Sequence, residues 1–468
     1  MNRSGNTLSM HTRFLLLTRS LSLVAASFLL FASPARGDTS FSSSGRLDLR
    51  GIEPSNRGTA PDDPGLTGRL KLEANTASGK FHSWLEGGWD GTVKQPARDH
   101  ALFKNYDEVY QSNTPYLEFK ELYLAYSSND LDLKAGIQRF SWGRLDEYPS
   151  NDLLNPWDYT QYLRKPLEDR KIGVPSLSAS LNMNQWTCET VWVPTFVPYR
   201  LPMPDERWAG SSFAASVIKA VPNAEIIPQE PDLPAHTFKN GNVGLRMNHA
   251  GDIEWGLNLY HGFDPRPVFK TTVLQITPSL IDPGYVPDLH RITVAGIDAA
   301  TVKNDLSLRM EIAYSSNRYL NIRRELWGYP AAPTPGPNTL NSSIEEKHDT
   351  LDYGIGADYR LFEDGTLIMQ VQQTVTLGNT GLLYEKKVET ILWANLKVFW
   401  VNQKVETNAS IAYNHEHRDT MAKVNAWYIF TDSWKAGVTG VAFNGPAQSI
   451  FGRYSRNDQV EAELIYSW

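Results

Sequence analysis

The chain has 468 residues, an excess of acid that leaves a formal net charge of −7, and one cysteine, Cys188. An acidic balance argues against a nucleic-acid partner. A lone cysteine excludes an internal disulfide framework, cysteine-ligated zinc and c-type haem attachment.

The chain opens with Arg3, Arg13 and Arg19 ahead of an apolar run from Leu21 to Phe31, followed by small residues in Ala32-Ser33-Pro34-Ala35. A basic segment, a short apolar core and a small-residue site predict a secretory signal peptide over residues 1–35, with 37 as the alternative end. The run is shorter than the ~20 residues a spanning helix needs, and no later stretch reaches that length. Residues 36–468 are therefore read as one domain.

That domain alternates with period two, which places successive side chains on opposite faces of a strand. Eighteen segments show it: 40–50, 66–76, 80–91, 116–127, 131–140, 172–183, 185–195, 239–249, 252–263, 289–301, 305–316, 350–361, 364–376, 387–400, 404–416, 421–431, 434–444 and 458–468. The alternation is weakest in 80–91, 116–127 and 185–195. Turn-forming residues join the second segment to the third, the fourth to the fifth, and so on, as in Ser127-Ser128-Asn129-Asp130 and Lys303-Asn304-Asp305. The intervening connections 51–65, 92–115, 141–171, 196–238, 264–288, 317–349 and 377–386 are long. Only His417-Arg418-Asp419-Thr420 breaks the rhythm.

Long loops at one end and tight turns at the other are expected of a transmembrane barrel, not of a soluble sandwich. Most of these segments, at 10–12 residues, match the ~9–11 needed to cross a bilayer when tilted. The fold class predicted is all-β: a closed antiparallel transmembrane β-barrel of about eighteen strands, with short periplasmic turns, long extracellular loops and both termini periplasmic. Val460, Ala462, Leu464, Tyr466 and Trp468 share one face of the last segment, opposite Gln459, Glu461, Glu463 and Ser467, with Ile465 as the misfit. They are predicted to face lipid. Trp400, Tyr428, Phe430 and Trp434 near strand ends suggest an aromatic girdle.

The opposite faces supply the side chains expected in the lumen: Arg69, Lys71, Glu73, Asp132, Lys134, Arg246, Glu254, Arg309, Glu311, Asp352, Asp358 and Arg360. Both signs are evenly represented, so no single-sign ring marks ion selectivity. A water-filled pore fits this lining, and so does a barrel filled by salt-bridged side chains or a plug. The 141–171 connection carries charges among aromatics. With the end of the preceding strand it offers Arg139, Trp142, Arg144, Asp146, Asp152, Asp158 and Arg164 as a pore constriction. The alternative is a solvent-facing loop stiffened by Pro149, Pro156 and Pro166. The proline-rich 196–238 connection reads as a lid or surface excursion.

The whole mature chain resembles Gram-negative outer-membrane porins. In that family the terminal aromatic strand, here Val460 to Trp468, is what the barrel-assembly machinery reads. Gly136-Ile137-Gln138-Arg139-Phe140-Ser141-Trp142-Gly143, followed by Asp152-Leu153-Leu154-Asn155-Pro156-Trp157-Asp158, is similar to a G-x-Q-x-x-x-W-G and D-x-x-N-P-x-D signature. That signature belongs to porin-like barrels of similar length, some adjacent to alginate-export barrels. It implies fold and compartment rather than a ligand.

The expected partners are outer-membrane lipid, the assembly machinery and a small hydrophilic solute. The function read from the sequence is passage of such solutes; an exporter or sheath within a larger envelope complex is the alternative, and a hydrolase the second. No G-x-S-x-G elbow and no phosphate loop is present, so no enzyme and no cofactor are predicted. His415 and His417 share a strand face without a third ligand nearby, so no metal site is predicted either.

Overall fold

The computed structural model describes residues 39–54, 65–90, 104, 109, 115–161, 165–202, 208, 233–264, 266–277, 280–322, 345–447 and 449–468. The expected signal peptide lies outside these, as does Arg164.

All eighteen alternating segments form strands. They are β1 (Ser40–Pro54), β2 (Gly65–Asn75), β3 (Gly79–Asp90), β4 (Tyr116–Ser127), β5 (Leu131–Gln138), β6 (Val174–Met183), β7 (Trp186–Val193), β8 (Asn242–His249) and β9 (Ile253–Phe263). After a separate hairpin, β10 (Val268–Thr277) and β11 (Leu280–Asp288), come β12 (Arg291–Lys303), β13 (Leu306–Asn321), β14 (Glu345–Phe362) and β15 (Gly365–Thr376). Then follow β16 (Val388–Trp400), β17 (Val405–Asn414), β18 (Asp419–Ile429), β19 (Trp434–Asn444) and β20 (Gln459–Ser467). Each barrel strand pairs antiparallel with the next, β9 pairs with β12, and β20 pairs with β1, so the eighteen-stranded sheet closes. Closure leaves no strand edge unpaired, the condition for a sheet in hydrocarbon. Among the described residues helix is confined to single turns such as Leu167–Arg170.

The outer face is apolar. Met310, Ile355, Val371 and Leu392 fall in register across β13 to β16, and all four are exposed. In β20 Val460 and Leu464 are exposed, as is Trp468 directly after it, whereas the misfit Ile465 is buried and shares the face of Glu461 and Glu463. Trp400, Tyr428, Phe430 and Trp434 are exposed at the same end of the barrel as Trp468. The Trp434 and Tyr466 rings lie 4.7 Å apart, and the Trp468 ring covers Gly45, where a Cβ would stand 2.0 Å from it.

Connections at that end are tight, among them 184–185, 304–305 and 363–364. Asn184 and Asn304 take left-handed φ of 53° and 56°, which two-residue turns demand and asparagine tolerates. The other end carries 139–173, 194–241, 264–290 and the remaining long connections.

Two differences from the sequence reading have physical causes. The alternation of 80–91 and 116–127 is blurred because the β3–β4 register shifts between Trp84 and Leu85. Lys120 is the extra residue, so the inward set changes phase from Glu118 and Lys120 to Glu121 and Tyr123. Residues 264–288 hold the β10–β11 hairpin rather than a plain loop. Its prolines Pro283 and Pro287 are accommodated because a two-stranded ribbon leaves one edge of each strand unpaired.

A charge on the outer belt tests its contact with lipid. Val371→Arg should lower the folding free energy in vesicles by about 2–4 kcal/mol. Urea titration of the folded, heat-modifiable band measures this, and an unchanged midpoint would place that face out of hydrocarbon.

Candidate functional site

The connection between β5 and β6 does not stand out from the barrel. It folds inward and binds the far wall. Its turning point is Gly143, which has a φ of +104° and faces the Glu311 carboxylate of β13; a Cβ would lie 2.6 Å from a carboxylate oxygen. Beyond it, Glu311 accepts hydrogen bonds from four loop amides. Oε1 takes those of Arg144 and Leu145 (2.7 Å for Leu145), and Oε2 takes those of Ser150 (2.9 Å) and Asn151 (3.3 Å).

Neighbouring strands add to this seat. Arg144 donates to Asp298 of β12 (2.6 Å) and Glu254 of β9 (2.7 Å). Arg309 of β13 donates to Asp146 (2.9 Å) and also pairs with Asp358 of β14. Gln370 of β15 accepts the amides of Asp146 and Glu147 and donates to the Glu147 carbonyl. Room for these approaches comes from wall glycines at inward positions. A Cβ on Gly296 would meet Asn151, one on Gly354 would meet Leu145, and one on Gly244 would meet Trp142 and Leu154.

The signature residues hold the loop's base. Asn155 accepts the Phe140 amide (2.6 Å) and donates to the Gln138 and Ile172 carbonyls (3.1 and 2.8 Å), tying the outgoing limb to the returning one. Trp142 donates to Glu189 of β7 (2.9 Å), and Gln138 donates to the Ser176 carbonyl of β6 (3.0 Å). Asp152 is buried against Lys171, and burial raises its carboxyl pKa in spite of that partner. Asp158 is buried beside Lys104 (3.0 Å) and Arg200. Burial pushes the Asp158 carboxyl up, but Lys104, Lys165 and Arg200 outweigh it and hold the group well below the usual range.

An apolar cluster backs these contacts: Phe140, Trp142, Leu154 and Ile172 from the loop pack on Val191, Val193, Tyr260 and Val294 of the wall. This explains the poor alternation of β7, whose inward side chains are as apolar as its outward ones there. On the return limb, Arg69 of β2 pairs with Glu86 and with Asp169 of the loop, both at 2.9 Å. Most of the 194–241 connection lies outside the described residues, but Phe196, Val197, Tyr199 and Arg200 are buried within the barrel mouth.

A polar cavity of about 870 Å³ remains between the return limb and the inner faces of β1–β4 and β17–β20. Of the residues singled out from sequence, Arg139, Arg69 and Lys71 line it, together with Lys165, Glu168 and Asp169. Arg144, Arg246 and Glu254 surround a separate space of about 280 Å³, and Trp142, Lys134 and Arg139 another of about 340 Å³. Glu73 pairs with Lys80 (3.0 Å), Asp132 accepts from Asn182 (3.0 Å), Asp352 pairs with Arg318 (3.0 Å), and Arg360 is exposed at the tight-turn end of β14. His417 pairs with Glu389 (2.9 Å), and its pKa is raised by that hydrogen bond. Sequence reasoning missed the wall glycines. Glycines recurring in phase with the polar set, as in Asp352-x-Gly354-x-Gly356-x-Asp358, were the available signal.

The family model described as "Protein of unknown function (DUF1302)" matches residues 56–467. The chain belongs to that family. No curated protein matches it. Solved structures are similar to it over most of its length at low identity. OccAB4 of Acinetobacter baumannii is 10% identical, with a TM-score of 0.49 and coverage of 93% of this chain and 100% of that one. OccK8 (OprE) of Pseudomonas aeruginosa is 9% identical, with a TM-score of 0.49 and coverage of 92% and 97%. The outer membrane channel DcaP of A. baumannii is 11% identical, with a TM-score of 0.40 and coverage of 93% and 99%.

The seat of the loop is open to test. Glu311→Ala would strip the shared acceptor from four amides, and an unmet buried donor costs ~1–3 kcal/mol. The expected result is a loss on the order of 3 kcal/mol and new protease cleavage within 139–173. A variant as stable and as resistant as the parent would show that Glu311 does not hold the loop.

Proposed function

We propose that this chain is an outer-membrane channel for small hydrophilic solutes, narrowed from within by the 139–173 loop. The observation that carries this reading is the docking of that loop on β9 and β12–β15, with the polar cavity of about 870 Å³ left beside it. The outer membrane is the compartment that suits a closed barrel with an apolar belt and a secretory signal over residues 1–35. The tight turns and both chain ends then face the periplasm, and the long connections face outward. Val460, Ala462, Leu464, Tyr466 and Trp468 are the segment offered to the assembly machinery.

The cavity wall is charged in both signs. Arg69, Lys71, Arg139 and Lys165 face Asp48, Glu121, Glu168 and Asp169. Opposed charges across a narrow, water-poor gap set a transverse field that orders polar solutes without a large net preference. Arg139, Trp142, Arg144, Asp146, Asp152 and Asp158 shape the constriction in different ways. Arg139 borders the cavity, and the others hold the loop in place through wall or base contacts.

The depth of that packing also favours a second reading. A barrel so filled would conduct only with a partner, as a sheath or exporter in an envelope complex. Planar-bilayer recording separates the two, because a channel conducts alone and a sheath is silent until its partner is added.

Two results are expected of the channel. Replacing residues 144–151 with a short Gly/Ser link should raise single-channel conductance. Unchanged conductance would move the constriction elsewhere. Lys165 titrates at about 8, lowered chiefly by burial and further by Lys104 and Lys120. Above that pH it loses its positive charge, so the cavity becomes more negative and cation permeability should rise between pH 7 and pH 9. Lys165→Met should show the cation-shifted reversal potential throughout and lack the step; a step that survives the substitution would exclude Lys165 from the path.

A further inference from the structure

Among the described residues, three side chains, two from the β11–β12 junction and one from the start of β14, have the geometry of a cation seat. Asp288 ends β11, His290 stands between β11 and β12, and Glu345 opens β14. One ligand atom from each lies within 4.8 Å of the others. His290 Nε2 is 3.1 Å from Asp288 Oδ2 and 3.0 Å from Glu345 Oε2. The imidazole is stacked on Tyr319, with centroids 3.5 Å apart and planes 14° from parallel, so its edge is aimed at the two carboxylates. All three residues are partly buried.

These separations match those between ligands already bound to one ion. With metal–ligand bonds of about 2.1 Å, adjacent ligands are ~3.0 Å apart in an octahedron and ~3.4 Å apart in a tetrahedron. One imidazole with two carboxylates is a donor set for zinc and its neighbours, whereas calcium and magnesium take oxygen ligands. We propose that Asp288, His290 and Glu345 bind a divalent transition-metal ion of zinc's class at the long-loop mouth of the barrel. The site has a structural consequence. The β10–β11 hairpin pairs with no barrel strand, and an ion shared by Asp288 and Glu345 fastens its returning end to β14. Asp288 and His290 are two positions apart, but Glu345 lies 55 positions beyond His290, which is why no short motif announces the set.

The test is calorimetric titration of zinc into metal-stripped, tag-free protein in detergent, with heat-modifiable gel mobility checking that each variant is folded. One saturable zinc site is expected, weakened at least tenfold in His290→Ala and in Asp288→Asn and unchanged in His249→Ala. Calcium and magnesium at the same concentration should leave it unfilled. Absence of saturable binding, or parental binding in both His290→Ala and Asp288→Asn, overturns the site. Equal occupancy by calcium overturns the assigned metal class.

Discussion

The Glu311 carboxylate, out of solvent on the inner wall of β13, accepts four backbone amides from a loop that leaves the sheet at β5. A carboxylate so placed is costly unless its lone pairs are filled, and amides folded away from water are costly unless accepted. Each side therefore removes the other's penalty, and both are met only when the loop lies across the lumen. The remaining geometry follows from that requirement. Residue 143 has no space for a Cβ, the facing wall carries glycines where Asn151 and Leu145 arrive, and Arg144 reaches Asp298 and Glu254.

The interior is consequently divided. Where the loop docks, inward positions of β7, β9 and β12 carry Val191, Val193, Tyr260 and Val294, and the barrel has a dry core of the kind found in soluble proteins. On the side of β1–β4 and β17–β20 the inward positions stay polar and border the cavity. A second apolar group, with Phe443, Phe451 and Tyr454, closes the mouth above β17–β19. The open space is thereby confined to one side of the lumen, and its wall comes from the chain's first and last strands together with the loop's return limb.

The barrel was legible because its determinant is local. Period two needs only neighbouring residues, and all eighteen segments declare it, including Val405 to Tyr413 and Leu351 to Tyr359. The exceptions arise where something non-local intervenes. At Lys120 a bulge changes the phase, and at Val191 and Val193 the loop turns an inner face apolar. The loop's seat was not legible for the same reason. Arg144 meets Glu254 110 positions away, and Gln370 meets Asp146 224 positions away. Only the barrel's closure brings them together. Read alone, 141–171 has the composition of a surface loop, and its prolines support either placement.

The balance of signs in the inward positions takes on a different meaning once the loop is in place. Counted along the strands, acids and bases suggest a neutral pore. In space, Glu254, Asp298 and Arg246 surround Arg144, Arg309 joins Asp146 to Asp358, and Arg69 joins Glu86 to Asp169. Much of the charge is thus used in fastening loop to wall, where pairing and burial shorten its reach into the lumen. The field inside the cavity then depends less on the total than on the few charges that border it, such as Lys165 and Glu168 on the return limb. These two lie within four residues of each other, so a small displacement of the limb would change which sign leads into the gap.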